Sequence, residues 1–170
     1  NKGQLAPFLM RIRFLIPLLA LFLLPLKVSG GSYQITEDIM TDDKVIVFAL
    51  LSENNVSNEI GVKESAGLIV SCRNGKPKLF FSTPTYNGNN NYVGTRWDKE
   101  KASYNSWNES SAGTGFFHRK PKKIINEMRE KDTLTLGWNP YQRREEAVKF
   151  DLNSQNWKQD IEQAIKDGCK

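Results

Sequence analysis

The chain has a single histidine, only two cysteines and, beyond residue 30, no apolar run of the length a membrane helix needs. Each shortage removes a class of function. A serine or cysteine hydrolase of the usual kind would have to use His118 as its base. His118 sits among Phe116, Phe117, Arg119 and Lys120, and no Gly-x-Ser-x-Gly motif accompanies it, so it reads as a surface residue at a helix entry. Two cysteines and one histidine make a poor zinc set. Neither a calcium loop nor a phosphate loop is present. No metal or cofactor is expected. A sugar hydrolase needs two placed carboxylates. With 19 acidic residues no pair stands out, and Asp42-Asp43 and Glu145-Glu146 read as solvated turns. No catalytic residue is assigned.

The first thirty residues also lack acids. Met10-Arg11-Ile12-Arg13 is a short basic start, Phe14 to Leu26 carries no charge, and Val28-Ser29-Gly30-Gly31-Ser32 is built of small residues. Basic end, apolar core and small cleavage site form the layout of a secretory signal peptide. The apolar stretch is 13 residues, shorter than the roughly 18–20 that cross a bilayer as a helix. Val28 and Gly30 fit the small −3 and −1 positions, so residues 10–30 are expected to be the leader, cleaved after Gly30, with retention as an uncleaved anchor as the alternative. No cysteine lies near the cleavage site, which argues against a lipid anchor. Residues 1–9 read as an upstream extension or a remnant outside the fold. The expected location is periplasmic or secreted.

Removing the leader changes the charge argument. The whole chain is formally +5, but residues 31–170 hold 20 basic and 19 acidic residues. The excess of Lys and Arg that nucleic-acid binding requires lies mostly in the leader, so no nucleic-acid partner is expected.

Residues 31–170 suit one domain with one core. An even pair of cysteines in an exported chain reads first as a disulfide, Cys72 to Cys169. It would close nearly the whole domain, a loop worth roughly 4–5 kcal/mol as an upper figure. Two free thiols, or metal ligation, are the alternatives.

The patterning is mainly that of strands. Lys44–Leu51 is β-branched and apolar enough for a central strand. Gly67–Cys72 and Lys78–Ser82 flank Asn74-Gly75, a strong hairpin signal because both residues tolerate positive φ. Tyr92–Asp98 with Lys101–Trp107, and Thr133–Trp138 with Ala147–Leu152, read as further hairpins. Tyr86–Asn91 reads as an exposed loop. Pro121 suits a first helical turn, and Ile124, Ile125 and Met128 form one apolar face ending near Asp132. A second helix is expected from about Ser154 to Asp167, with Trp157, Ile161, Ala164 and Ile165 on one face and Gly168 beyond its end. The expected architecture is mainly β (α+β): an antiparallel β-sandwich or half-barrel with one inserted helix and one C-terminal helix.

Taken in order, these features resemble a known family. Asp42-Asp43-Lys44 leads into an apolar strand, and Leu68-Ile69-Val70-Ser71-Cys72 follows. Thr95-Arg96-Trp97-Asp98, Trp107, a short basic helix, Phe150-Asp151-Leu152, a helix and Cys169 complete the series. The series is similar to the VasI/TagO-type proteins associated with type VI secretion, small exported domains also found alone in bacterial and phage genomes. The resemblance covers about residues 33–169. It implies a cysteine pair at Cys72 and Cys169. Thr95 departs from the aromatic or apolar residue the family places before the Arg, and the Asn-rich loop is foreign to it. The resemblance brings no catalytic residue with it.

Two sets of side chains are candidate binding residues. Arg96 and Asp98, two apart on a strand, are expected on one face, either as a structural ion pair or as a recognition surface with Trp97 and Trp107. Arg119, Lys120, Lys122 and Lys123 crowd a helix start, where cations are poorly placed against the helix dipole. That misfit points to an anionic partner; a solvated face balanced by Glu127 and Glu130 is the plainer account. Asn55-Val56-Ser57 and Asn108-Glu109-Ser110 match glycosylation acceptors, which matter only in a eukaryotic secretory pathway. The expected function is an exported, non-enzymatic accessory or binding domain that contacts an envelope or secretion-machinery protein. An envelope-acting hydrolase using Asp or Glu, and a secreted effector or inhibitor, are the alternatives. After cleavage no stable membrane span is expected.

Overall fold

In a computed structural model of the chain, residues 33–169 are described. The leader expected at residues 10–30 and the extension at 1–9 lie outside them.

Among the described residues, ten strands form two antiparallel sheets, accompanied by two helices. Sheet A contains β1 (Gln34–Glu37), β2 (Lys44–Ser57), β3 (Lys63–Arg73), β4 (Lys76–Ser82), β7 (Asn108–Glu109) and β8 (Gly115–Phe117) in the order β1-β2-β3-β4-β8-β7. Sheet B contains β5 (Tyr92–Trp97), β6 (Ser103–Ser106), β9 (Thr133–Trp138) and β10 (Glu146–Asp151) in the order β10-β9-β5-β6. Helix α1 (Pro121–Glu130) follows β8, and α2 (Trp157–Lys166) ends the fold. The mainly β, α+β fold with one inserted and one terminal helix matches the sequence reading.

Alternation decides which face is inward. Ile46, Phe48 and Leu50 of β2, Leu68, Val70 and Cys72 of β3, and Leu79 and Phe81 of β4 are buried from sheet A. Val93, Leu134, Leu136, Trp138, Val148 and Phe150 answer them from sheet B. Phe81 meets Trp138 edge-on at 5.3 Å and Phe150 at 6.2 Å, which joins the two sheets. Trp157 of α2 meets Phe48 edge-on at 5.2 Å, and Met128 of α1 is fully buried, so the helices close the rest of the core.

Local chemistry explains the turns. Asn74 and Gly75 both take positive φ, +50° and +74°, so the two-residue hairpin turn twists with its strands. Arg73 then faces Lys76, and Pro77 faces Cys72. In such a hairpin the pair beyond the turn is not hydrogen-bonded, so Pro77 would aim its missing N–H away from β3. Pairing with β8 begins only at Phe80, so no bond is lost and β4 starts before the proline rather than after it. Strand β2 is bulged between Leu51 and Asn55. There the Asn54 amide donates to the Ala147 carbonyl at 3.0 Å and accepts the Lys149 N–H at 2.8 Å, so one side chain occupies the free edge of β10.

Cys72 and Cys169 form a disulfide with their Cα atoms 5.7 Å apart. It ties the end of α2 to the β3–β4 hairpin. Gly168, at φ +104°, turns the chain out of the helix into this position. Among the described residues no helix is long and apolar enough to cross a membrane.

Candidate binding surfaces

The first candidate set is divided by the fold. Arg96 stands exposed on the outer face of sheet B, while Val93 and Thr95 point inward. Trp97 is half-buried and packs against the core. Asp98 does not share the face of Arg96, because its φ of +44° takes it out of the strand and breaks the alternation. Its carboxylate accepts the Thr133 N–H at 2.8 Å and the Asp132 N–H at 3.1 Å, bonds that hold it below the ordinary aspartate range, the Thr133 bond foremost. Asp98 therefore caps the start of β9. Trp107 is 1% exposed, with its backbone N–H bonded to the Asn91 carbonyl at 2.8 Å, and stands in the core instead of beside Arg96.

Tyrosines take the place of the tryptophans on that face. Tyr92 shares the outer side of β5 with Arg96, and Tyr104 of β6 lies directly opposite Gly94 between them. Tyr92 and Tyr104 are 59% and 60% exposed. The Tyr104 ring lies so close over Gly94 that a Cβ there would meet it at 2.9 Å. Its hydroxyl donates to Glu145 at 3.1 Å, a bond that raises the phenol pKa. Tyr86 and Tyr141, also exposed, pack edge-on at 5.9 Å and lie over Gly113 and Gly88. They flank the end of sheet B where β5 begins and β9 ends. Sequence reasoning missed this group because the glycines under Tyr86, Tyr104 and Tyr141 are set by strand register and loop closure. Four exposed tyrosines out of five in the chain were the available signal.

The second set is brought together and enlarged. Lys120, Lys122 and Lys123 line a hollow of about 390 Å³ with Pro121, Lys76 and Pro77. A second hollow of about 550 Å³ continues from it, lined by Val45, Ser71, Arg73, Asn74, Lys76 and Lys78. Arg119 lies outside both and donates to the Asn108 side chain at 3.1 Å. Glu127 reaches Lys123 at 3.8 Å, as expected of a balancing acid, while Glu130 has no ion pair with this run among the described residues.

His118 links this region to the core. Its Nδ1 accepts the Lys120 N–H at 3.0 Å, leaving the neutral ring's proton on Nε2, and its ring meets Trp107 edge-on at 4.6 Å. Burial pushes its pKa below the ordinary value, and the Lys123 and Lys120 charges add to the depression. A depressed folded pKa means the unfolded chain takes up the proton first. The stability His118 confers is therefore present above about pH 6.5 and is lost as pH falls from there through the folded value. Thermal unfolding across that range is expected to show a falling midpoint that His118→Phe flattens. An unchanged pH slope in His118→Phe would refute the assignment.

Asp160 is the counter-example among the acids. Burial raises its pKa, and one of its carboxylate oxygens is buried without a partner, but it stands on α2 and lines neither hollow. Glu146 pairs with Arg143 at 3.1 Å, and Asp43 accepts from Asn74 at 2.7 Å. No family model, curated protein or solved structure matches the chain.

Proposed function

We propose that the chain is an exported, non-enzymatic accessory domain that contacts an envelope or secretion-machinery protein through the outer face of sheet B. The observation that carries this reading is the exposed set of Tyr92, Tyr104 and Arg96 on that face, with the Tyr104 ring held by Gly94 and Glu145. Tyrosine and arginine are enriched where proteins bind one another, because they offer large contact area and polar ends at low entropic cost. A ring already fixed in place loses little freedom on docking. The Cys72–Cys169 disulfide supports an oxidising compartment. The resemblance to VasI/TagO-type proteins supports a periplasmic or secreted setting.

The test is capture from the native envelope with the domain beginning at Gly31, followed by reconstitution with the purified partner. A specific envelope protein is expected, bound at least about tenfold more weakly by Arg96→Ala and by Tyr104→Ala. A partner held equally by both variants overturns the surface. Turnover of an envelope polymer by the purified domain overturns the non-enzymatic reading.

A further inference from the structure

The two hollows share Lys76 and run on from one another around the end of β4 that β8 leaves unpaired. Together they gather Arg73, Lys76, Lys78, Lys120, Lys122 and Lys123 from two strands and a helix start. Arg73 is taken by Asp38, and Lys123 reaches Glu127 at 3.8 Å. Lys76, Lys78, Lys120 and Lys122 have no carboxylate partner among the described residues. Residues 31–170 as a whole are almost neutral, with 20 basic and 19 acidic residues, so the charge here is segregated. Like charges held side by side repel, and an anion laid among them removes that repulsion. The position is also fixed, since the Cys72–Cys169 disulfide and the approach of Gly75 to the Gly168 carbonyl lie at the same end of sheet A.

We infer that this trough binds a linear phosphate polymer without bases, since among the described residues no aromatic side chain lines either hollow for a base to stack on, and that it does so on a surface separate from the tyrosine face. Extent favours a chain, because the unpaired lysines are spread over two hollows joined at Lys76 and an occupant must carry several anionic groups to meet them all. Chemistry favours phosphate. The one arginine here is already paired, and the free cations are lysines, point charges that bind phosphate oxygens without a fixed fork geometry and so suit a run of repeated phosphates. Pro77, Pro121 and Val45 supply apolar walls between the charges.

The experiment titrates the mature domain with long-chain inorganic polyphosphate at several salt concentrations. Binding is expected to weaken by roughly 50-fold between low and physiological salt, as for about four neutralised phosphates. Lys76→Gln with Lys122→Gln is expected to weaken binding about tenfold and to flatten the salt dependence. Both lysines are exposed, so an unchanged unfolding midpoint shows the variant intact. Arg96→Ala is expected to bind polyphosphate normally, which keeps this result independent of the protein-contact proposal. No binding at low salt overturns the inference. Equal binding of poly-glutamate overturns the phosphate assignment, and tighter binding of phosphatidylglycerol vesicles or single-stranded DNA overturns the choice of polymer.

Discussion

Replacing Cys72 and Cys169 together by alanine is expected to cost about 4 kcal/mol and lower the unfolding midpoint by roughly 15 °C. The bridge spans a sequence separation of 97, so in the unfolded chain it forbids most of the conformations that a loop of that size would explore. The folded state has little to gain from its loss. Cys72 lies in the middle of sheet A, between Ile46 of β2 and Pro77 of β4, and is held there by its ladders with or without a bond. Cys169 is different, because nothing but the last turn of α2 precedes it. Without the bridge, that turn depends on the Tyr33 hydroxyl bond to Asp167 at 2.6 Å, on the Lys44 ammonium bond to the Asp167 carbonyl at 3.2 Å and on the packing of Ile161 and Ala164. Fraying of α2 is therefore expected before global unfolding, visible as faster amide exchange in residues 161–168. The wild-type domain in excess reductant should reproduce the alanine pair. A midpoint shift of only a few degrees in both, or two alkylatable thiols in the unreduced domain, would refute the account.

How much of this was legible in the sequence depends on how local each signal was. Lys44–Leu51, Gly67–Cys72 and Thr133–Trp138 carry their own apolar patterning, and Asn74-Gly75 carries its own turn, so these could be read directly, whereas the extension of β2 to Ser57 and the start of β3 at Lys63, both largely exposed, could not. Strand β1 could not, since every residue from Gln34 to Glu37 is exposed and only pairing with β2 makes it a strand. Strands β7 and β8 could not be read either, because two and three residues are too short to show a period. The site divides in the same way. Arg96 was placed by the period of two, and Asp98 escaped that rule because a left-handed residue ends the alternation. Lys76 could not be joined to Lys120, Lys122 and Lys123, because only the position of α1 beside β4 brings segments so distant in sequence around one hollow. Trp107 shows the limit of composition, because a tryptophan near an arginine reads as a recognition pair until burial assigns it to the core.

Phe81→Ala is expected to be the most damaging single substitution in the core, at roughly 4 kcal/mol. Phe81 is wholly buried on β4 and touches three aromatic rings from three other strands: Phe116 at 6.1 Å, Trp138 at 5.3 Å and Phe150 at 6.2 Å. Two of those rings belong to sheet B, so the ring of Phe81 is a junction between the sheets as well as a buried surface. Truncation leaves a cavity that the neighbours cannot readily fill, because Trp138 is held through its indole N–H bond to the Thr85 hydroxyl at 3.0 Å and Phe116 is fixed by pairing with Phe81 itself. For a domain whose total stability is about 5–15 kcal/mol, such a loss brings it near the threshold for folding. Phe81→Leu keeps much of the volume and is expected to cost about 1–1.5 kcal/mol. Urea unfolding of the two variants separates the contributions, since a lost junction lowers the midpoint while leaving the denaturant slope unchanged. If alanine and leucine cost the same, the ring is not what joins the sheets. The joint would then rest on Asn54, whose amide bonds Ala147 and Lys149 across the bulge of β2.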